Sequence, residues 1–206
     1  EVVVRWLSNH EVDSTLQDSG ALRGLAKGSM LAARPMPLLR VLVATALDGF
    51  LAGNEGDQEE RTFTFAARHD RAVRDLVAEF GGQEAEKGSS FLLLFERAAD
   101  ALGFALSYQE VVAKLAASEG RDRSPGLARV AIHLGEVLLR KNPEADIARG
   151  ARPLEIEGQA KEIVVRLLSL ARPRQTLLTR AAFDLARRGC LEFRGDVRGE
   201  LSWLAY

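Results

Sequence analysis

SFLLLFERAADALGFA, residues 90 to 105, places an apolar run of strand length directly before a segment of helical periodicity. From Phe91 to Phe95 no residue is polar, which is the pattern of a strand covered on both faces. Ala98, Ala101, Leu102 and Ala105 then recur at helical spacing, and this helix is expected to run to about Ala117. Moving toward the N-terminus, Val73, Leu76, Val77 and Phe80 fall at i, i+3, i+4 and i+7 and define an earlier helix between Arg68 and Phe80 that Gly81 and Gly82 stop. LLRVLVATAL, residues 38 to 47, is a second nearly continuous apolar run and reads as another central strand. The string after it, DGFLAGNEGDQEE (48 to 60), has the glycines and short polar residues of a loop.

Toward the C-terminus, LARVAIHLGEVLLRK (127 to 141) has two β-rich halves about Gly135 and reads as a tight antiparallel hairpin. Val164, Leu167, Leu168 and Ala171 form a helical face closed by Pro173. Thr176 to Leu178 is a short strand, and Thr179 can cap a last helix reaching about Arg188. Strands thus alternate with helices, which argues for a sheet covered by helices. The first 37 residues carry the β-branched run Val2, Val3, Val4 and then polar residues, glycines, Pro35 and Pro37, read as an N-terminal extension and linker before one domain over 38–206.

Composition removes several function classes. The 206 residues hold 28 basic against 29 acidic side chains, a balance that gives no electrostatic case for nucleic acid or an anionic membrane. One cysteine, Cys190, excludes an internal disulfide and a CxxC motif and fits a reducing cytoplasm. Cys190 follows Gly189 and reads as a small core residue. No apolar run nears the roughly 20 residues of a membrane-spanning helix. His10, His69 and His133 lie on different elements without metal-ligand spacing, and no GxSxG, GxGxxG or GxxxxGK[ST] string occurs. The chain starts at Glu1 rather than methionine, which fits a piece of a longer polypeptide.

Four strings, in this order, resemble the class III adenylate and guanylate cyclase homology domain over roughly residues 38 to 200. RHDRAVRDLVAEFGG (68 to 82) resembles the family's first long helix and its glycine stop, and FLLLFERAADALGFAL (91 to 106) its second strand and helix. VAIHLGEVLL (130 to 139) resembles its IGLHTGEV hairpin, and RLLSLARPRQTLLTRAAFDL (166 to 185) a stretch of RAARLLALARPGQILLS type. ADIARGARPLEIEGQ (145 to 159) is similar to a bacterial branch of the family found in multidomain proteins. The resemblance implies an α/β (α+β) domain of ferredoxin-like class III cyclase fold, with a central, mostly antiparallel sheet covered by helices.

It also implies a chemistry and shows where this chain departs from it. The family closes a nucleoside triphosphate onto its own 3′ oxygen, using two Mg or Mn ions that stabilise the oxyanion and the departing pyrophosphate, so its site needs anionic oxygen ligands. Against the family's TDIVGFT this chain reads TALDGFL, leaving Thr45 or Ala46 at the first aspartate position, with Asp48 as a weak substitute nearby. Against GDGF it reads GSSF, placing Ser89 at the second. A serine offers a neutral oxygen, a poor ligand for two divalent cations.

The family's asparagine and arginine, which act across the dimer interface, match Glu162 and Arg166. A glutamate repels triphosphate where the asparagine orients ribose, while the arginine is retained. Lys87 and Glu155 lie near the family's base-selecting positions and could read a base edge. The expectation is a catalytically degenerate cyclase-like domain that serves signalling, regulation or dimerisation and needs no cofactor. Its partner would be a second copy or an intact cyclase-like domain, and a nucleoside triphosphate would be its ligand. The alternative is an active cyclase, working alone with atypical ligands or as half of a heterodimer.

Overall fold

The computed structural model describes residues 3–7, 36–47, 58–118, 128–192 and 203–205. Its elements are β1 (Val3–Leu7), β2 (Leu38–Leu47), α1 (Gln58–Glu79), β3 (Gln83–Lys87), β4 (Phe91–Phe95) and α2 (Ala98–Ser118). There follow β5 (Ala128–Lys141), α3 (Glu144–Ile147), β6 (Leu154–Glu157), α4 (Gln159–Leu170), β7 (Gln175–Thr179), α5 (Arg180–Glu192) and β8 (Trp203–Ala205). The sheet runs β3-β4-β2-β5-β7-β1-β8, with β6 paired to β5.

Strand β2 lies antiparallel between β4 and β5, from Val41 opposite Phe95 to Thr45 opposite Phe91 on one side and from Leu38 opposite Val137 to Leu47 opposite Ala128 on the other. β4 and β5 are therefore parallel to each other with β2 inserted, and α2 is their crossover. β7 joins β5 in parallel, and β1 joins β7 in parallel, so the β-branched run near the N-terminus enters the same sheet.

Period-2 alternation of the strands divides the core in two. Val41 and Val43 of β2, with Phe91, Leu93 and Phe95 of β4, face a layer built from α1, α2 and α5. Leu42, Ala44, Leu92 and Leu94 face the other side, where α4 covers them through Ala160, Val164, Leu167 and Leu168. Both faces are buried, which is why β2 and β4 are apolar at consecutive positions.

Two expectations are corrected. VAIHLGEVLL is no tight hairpin: β5 passes straight through Gly135, which keeps its ladder place opposite Arg40. A Cβ at Gly135 would lie 2.7 Å from the Ala160 Cβ and from His133 Nε2, so this glycine admits the close approach of α4 and makes no turn. The antiparallel return comes later, where β5 pairs with β6 from Leu138 opposite Glu157 to Lys141 opposite Leu154. The first helix starts at Gln58 instead of Arg68: after the polar first turn QEER, its buried face already begins at Phe65, two turns before Val73. Strand β3 carries no strand pattern in its sequence. Its string QEAEK has a single buried side chain, Ala85, as a charged edge strand should.

Candidate functional site

At one end of the sheet, three segments converge on a cleft of about 230 Å³. The end of β2 supplies Thr45, Ala46 and Leu47; α1 supplies Phe65, Ala66, His69 and Asp70; and the β3–β4 turn supplies Lys87 to Ser90. Phe91 and Tyr108 of α2 complete the wall. The fold thus brings the two expected metal-carboxylate positions, 45 or 46 and 89, to one place. Alternation decides how each points. Thr45 is buried on the α1 and α2 face, whereas Ala46 packs with the opposite core. Ser89 is exposed on a turn that the Gly88 N–H closes by donating to the Ser90 carbonyl at 2.9 Å. Asp48 lies outside the described residues.

A hydrogen-bonded chain fills the inner cleft. The Tyr108 hydroxyl is shared with the Thr45 side chain and lies 2.9 Å from His69 Nε2, while His69 Nδ1 is 3.4 Å from Asp70 Oδ1. Asp70 Oδ2 takes the Lys87 ammonium, which also stands 5.7 Å from the centre of the Phe91 ring. One tautomer satisfies every member: His69 donates from Nδ1 to Asp70 and accepts at Nε2 from Tyr108, whose oxygen accepts from Thr45. Burial lowers the His69 pKa, and the Asp70 carboxylate only partly offsets it, so the imidazole is neutral at neutral pH. Burial also raises the Tyr108 hydroxyl well above the ordinary phenol range.

The described donor set does not fit two divalent cations. The hydroxyls of Thr45 and Ser89 are neutral, the one carboxylate among the described residues lining the cleft, Asp70, is already paired with Lys87, and no metal-sized cluster of His, Cys, Asp or Glu exists among the described residues.

The other anticipated residues lie elsewhere. Lys87 and Glu155 face different partners: Lys87 pairs with Asp70, and Glu155 on β6 accepts from Arg140 and, at 2.7 Å, from the Asn142 side-chain amide. Those two donors hold the Glu155 carboxyl below the usual carboxylate range, Asn142 foremost. Glu162 and Arg166 sit one turn apart on α4, across the sheet from the α1 and α2 layer. Glu162 is exposed and Arg166 half-buried, and neither forms an ion pair among the described residues. The N-terminal turn of α4 is held by Lys161, which pairs with Glu86 of β3, as does Arg152.

Sequence reasoning missed His69, Asp70 and Tyr108. A signal existed for the first: His69 precedes Val73, Leu76 and Phe80 at i+4, i+7 and i+11, a polar residue on an apolar stripe. Its partner Tyr108, 39 residues away, is visible only in three dimensions.

No family model matches the sequence, and no characterised protein matches it by sequence. Solved structures do match. The guanylyl cyclase Cya2 superposes with a TM-score of 0.63 at 17% identity, over 74% of this chain and 80% of its own. The adenylyl cyclase CyaB from P. aeruginosa gives 0.61 at 14% identity, over 74% of this chain and 83% of its own. A dimeric guanylyl cyclase domain of the RhoGC fusion protein from the aquatic fungus Blastocladiella emersonii gives 0.56 at 10% identity, over 73% and 84%. At these identities the likeness establishes the fold.

Proposed function

We propose that this chain, which has the fold of the class III nucleotide cyclase domains, is a cyclase-like module that does not turn over a nucleoside triphosphate and acts through dimerisation or partner binding in signalling. A fold does not carry its usual activity, so the site must decide. The observation that carries the reading is the cleft where the two metal-carboxylate positions meet: Thr45 bonds to Tyr108, Ser89 is an exposed hydroxyl, and Asp70 is paired with Lys87. The described residues of the cleft thus offer no unpaired anionic ligand for the cations that stabilise the 3′ oxyanion and the pyrophosphate. Glu162, in place of an asparagine, adds repulsion against a triphosphate.

On this reading the module needs no Mg or Mn and no other cofactor, and it works in the cytoplasm. No described helix is long and apolar enough to cross a membrane. A homodimer is the proposed assembly, supported by the one dimeric guanylyl cyclase domain among the structures named above. The test is product formation: purified protein with ATP, GTP, CTP or UTP and manganese yields no cyclic nucleotide above a protein-free control.

A second reading has one observation in its favour. Arg166 stands without an ion-pair partner among the described residues, as an arginine supplied to another domain's site would. In a heterodimer with an intact cyclase-like domain, this chain would restore activity that Arg166→Ala abolishes. Unchanged activity in that variant rejects the heterodimer.

A further inference from the structure

Among the described residues of the cleft, hydrogen bonds engage Asp70, His69 and Tyr108 and leave donors on Lys87, Ser89 and Ser90 unused. Asp70 spends one oxygen on His69 and the other on Lys87. His69 Nε2 is taken by Tyr108, and the Tyr108 oxygen by Thr45. On the donor side, an ammonium has three N–H groups, and Asp70 occupies one of those on Lys87. The hydroxyls of Ser89 and Ser90 make no side-chain hydrogen bond among the described residues, although both line the cleft. The ammonium can only donate and the two hydroxyls can donate, so this wall suits a ligand that accepts hydrogen bonds, and a charge-assisted bond from an ammonium favours one that is anionic.

Size narrows the choice: about 230 Å³ is below the roughly 300 Å³ at which pockets for drug-sized molecules begin. The donors are also held in place, Lys87 by Asp70 and the Phe91 ring, and the serines by the Gly88 to Ser90 backbone bond.

We propose that the cleft binds a small oxyanion directly, without a metal ion, through the Lys87 ammonium and the Ser89 and Ser90 hydroxyls. The proposal rests on the reading that the cleft holds no catalytic metals, and it names what takes their place. Asp70 balances Lys87 at neutral pH, so the anion is held chiefly by directional hydrogen bonds. The titratable groups facing His69 are Asp70 on its own helix, Lys87 on β3 and Tyr108 on α2. An imidazolium at position 69 would compete with Lys87 for Asp70 and leave the ammonium freer for the anion.

Sodium sulfate, whose charge is constant from pH 5 to 8, is the probe. It is titrated into the protein in EDTA at fixed ionic strength, with the backbone amide shifts of Gly88, Ser89 and Ser90 as readout. Saturating shifts are expected. Lys87→Met should weaken binding about tenfold or more, as loss of a charged hydrogen bond does, with Lys87→Arg restoring most of it. Binding should strengthen toward pH 5 in the parent chain and not in His69→Gln. Displacement of sulfate by inorganic phosphate or by a nucleoside monophosphate, whichever acts at lower concentration, identifies the source of the oxyanion.

Shifts that never saturate, equal affinity in the Met and Arg variants at position 87, or no displacement by either phosphate would overturn the proposal. Because EDTA removes metals, a sulfate result is independent of turnover. Cyclic product with manganese would sink the functional reading while leaving the sulfate titration to judge the oxyanion site by itself.

Discussion

Acidification should destabilise the domain through His133 by an amount that can be worked out beforehand. His133 lies on β5 opposite Leu42, half-buried, with Nδ1 3.1 Å from the Thr179 hydroxyl, and burial drops its pKa from 6.5 to about 4. A base whose folded pKa is depressed is protonated first in the unfolded chain, so stability is intact above pH 6.5 and is lost as pH falls toward 4. With 6.5 unfolded and about 4 folded, the loss is ~1.4 kcal/mol at pH 5.5 and ~2.6 kcal/mol at pH 4.5. Urea unfolding of the parent chain and His133→Gln at pH 7.5, 5.5 and 4.5 isolates this contribution, since His69 and the carboxylates titrate in both. The parent should lose more stability than the variant by those amounts. Parallel stability curves down to pH 4.5 would refute the buried, neutral state assigned to this imidazole.

Two substitutions probe the cleft wall and the core. Tyr108→Phe removes the hydroxyl between Thr45 and His69 and leaves two buried polar groups short of a partner, so urea denaturation should show a loss of about 2 kcal/mol. Leu93→Ala empties a fully buried position of β4 and should lower stability by about 2–5 kcal/mol, whereas Val165→Ala at a half-exposed position of α4 should change it by less than about 0.5 kcal/mol.

The residues that decided the fold were those whose environment is uniform along an element. FLLLF is apolar throughout and LLRVLVATAL nearly so because β4 and the middle of β2 are buried on both faces, and the helices between them carry a stripe toward one face. Residues whose role comes from a distant neighbour were not legible. Gly135 resembles a turn by itself, and only the packing of Ala160 against it explains why the strand continues. β3 is too polar to read as a strand because an edge needs little apolar surface.

In the cleft, the resemblance pointed to positions 45 or 46 and 89, and β2 and the β3–β4 turn do bring them together. What occupies the space, the Tyr108–His69–Asp70–Lys87 chain, joins α1, α2 and β3, and no local pattern links those segments. Lys87, which the resemblance sets near a base-selecting position, pairs with Asp70, a partner no local pattern announces.

A cyclase fold whose described cleft lacks free anionic ligands should not turn over a triphosphate. Purified chain at high concentration, incubated with each of the four triphosphates in saturating manganese, should give no cyclic nucleotide above the protein-free control. Reproducible product that scales with protein concentration and disappears in Arg166→Ala would show that the chain is an active cyclase.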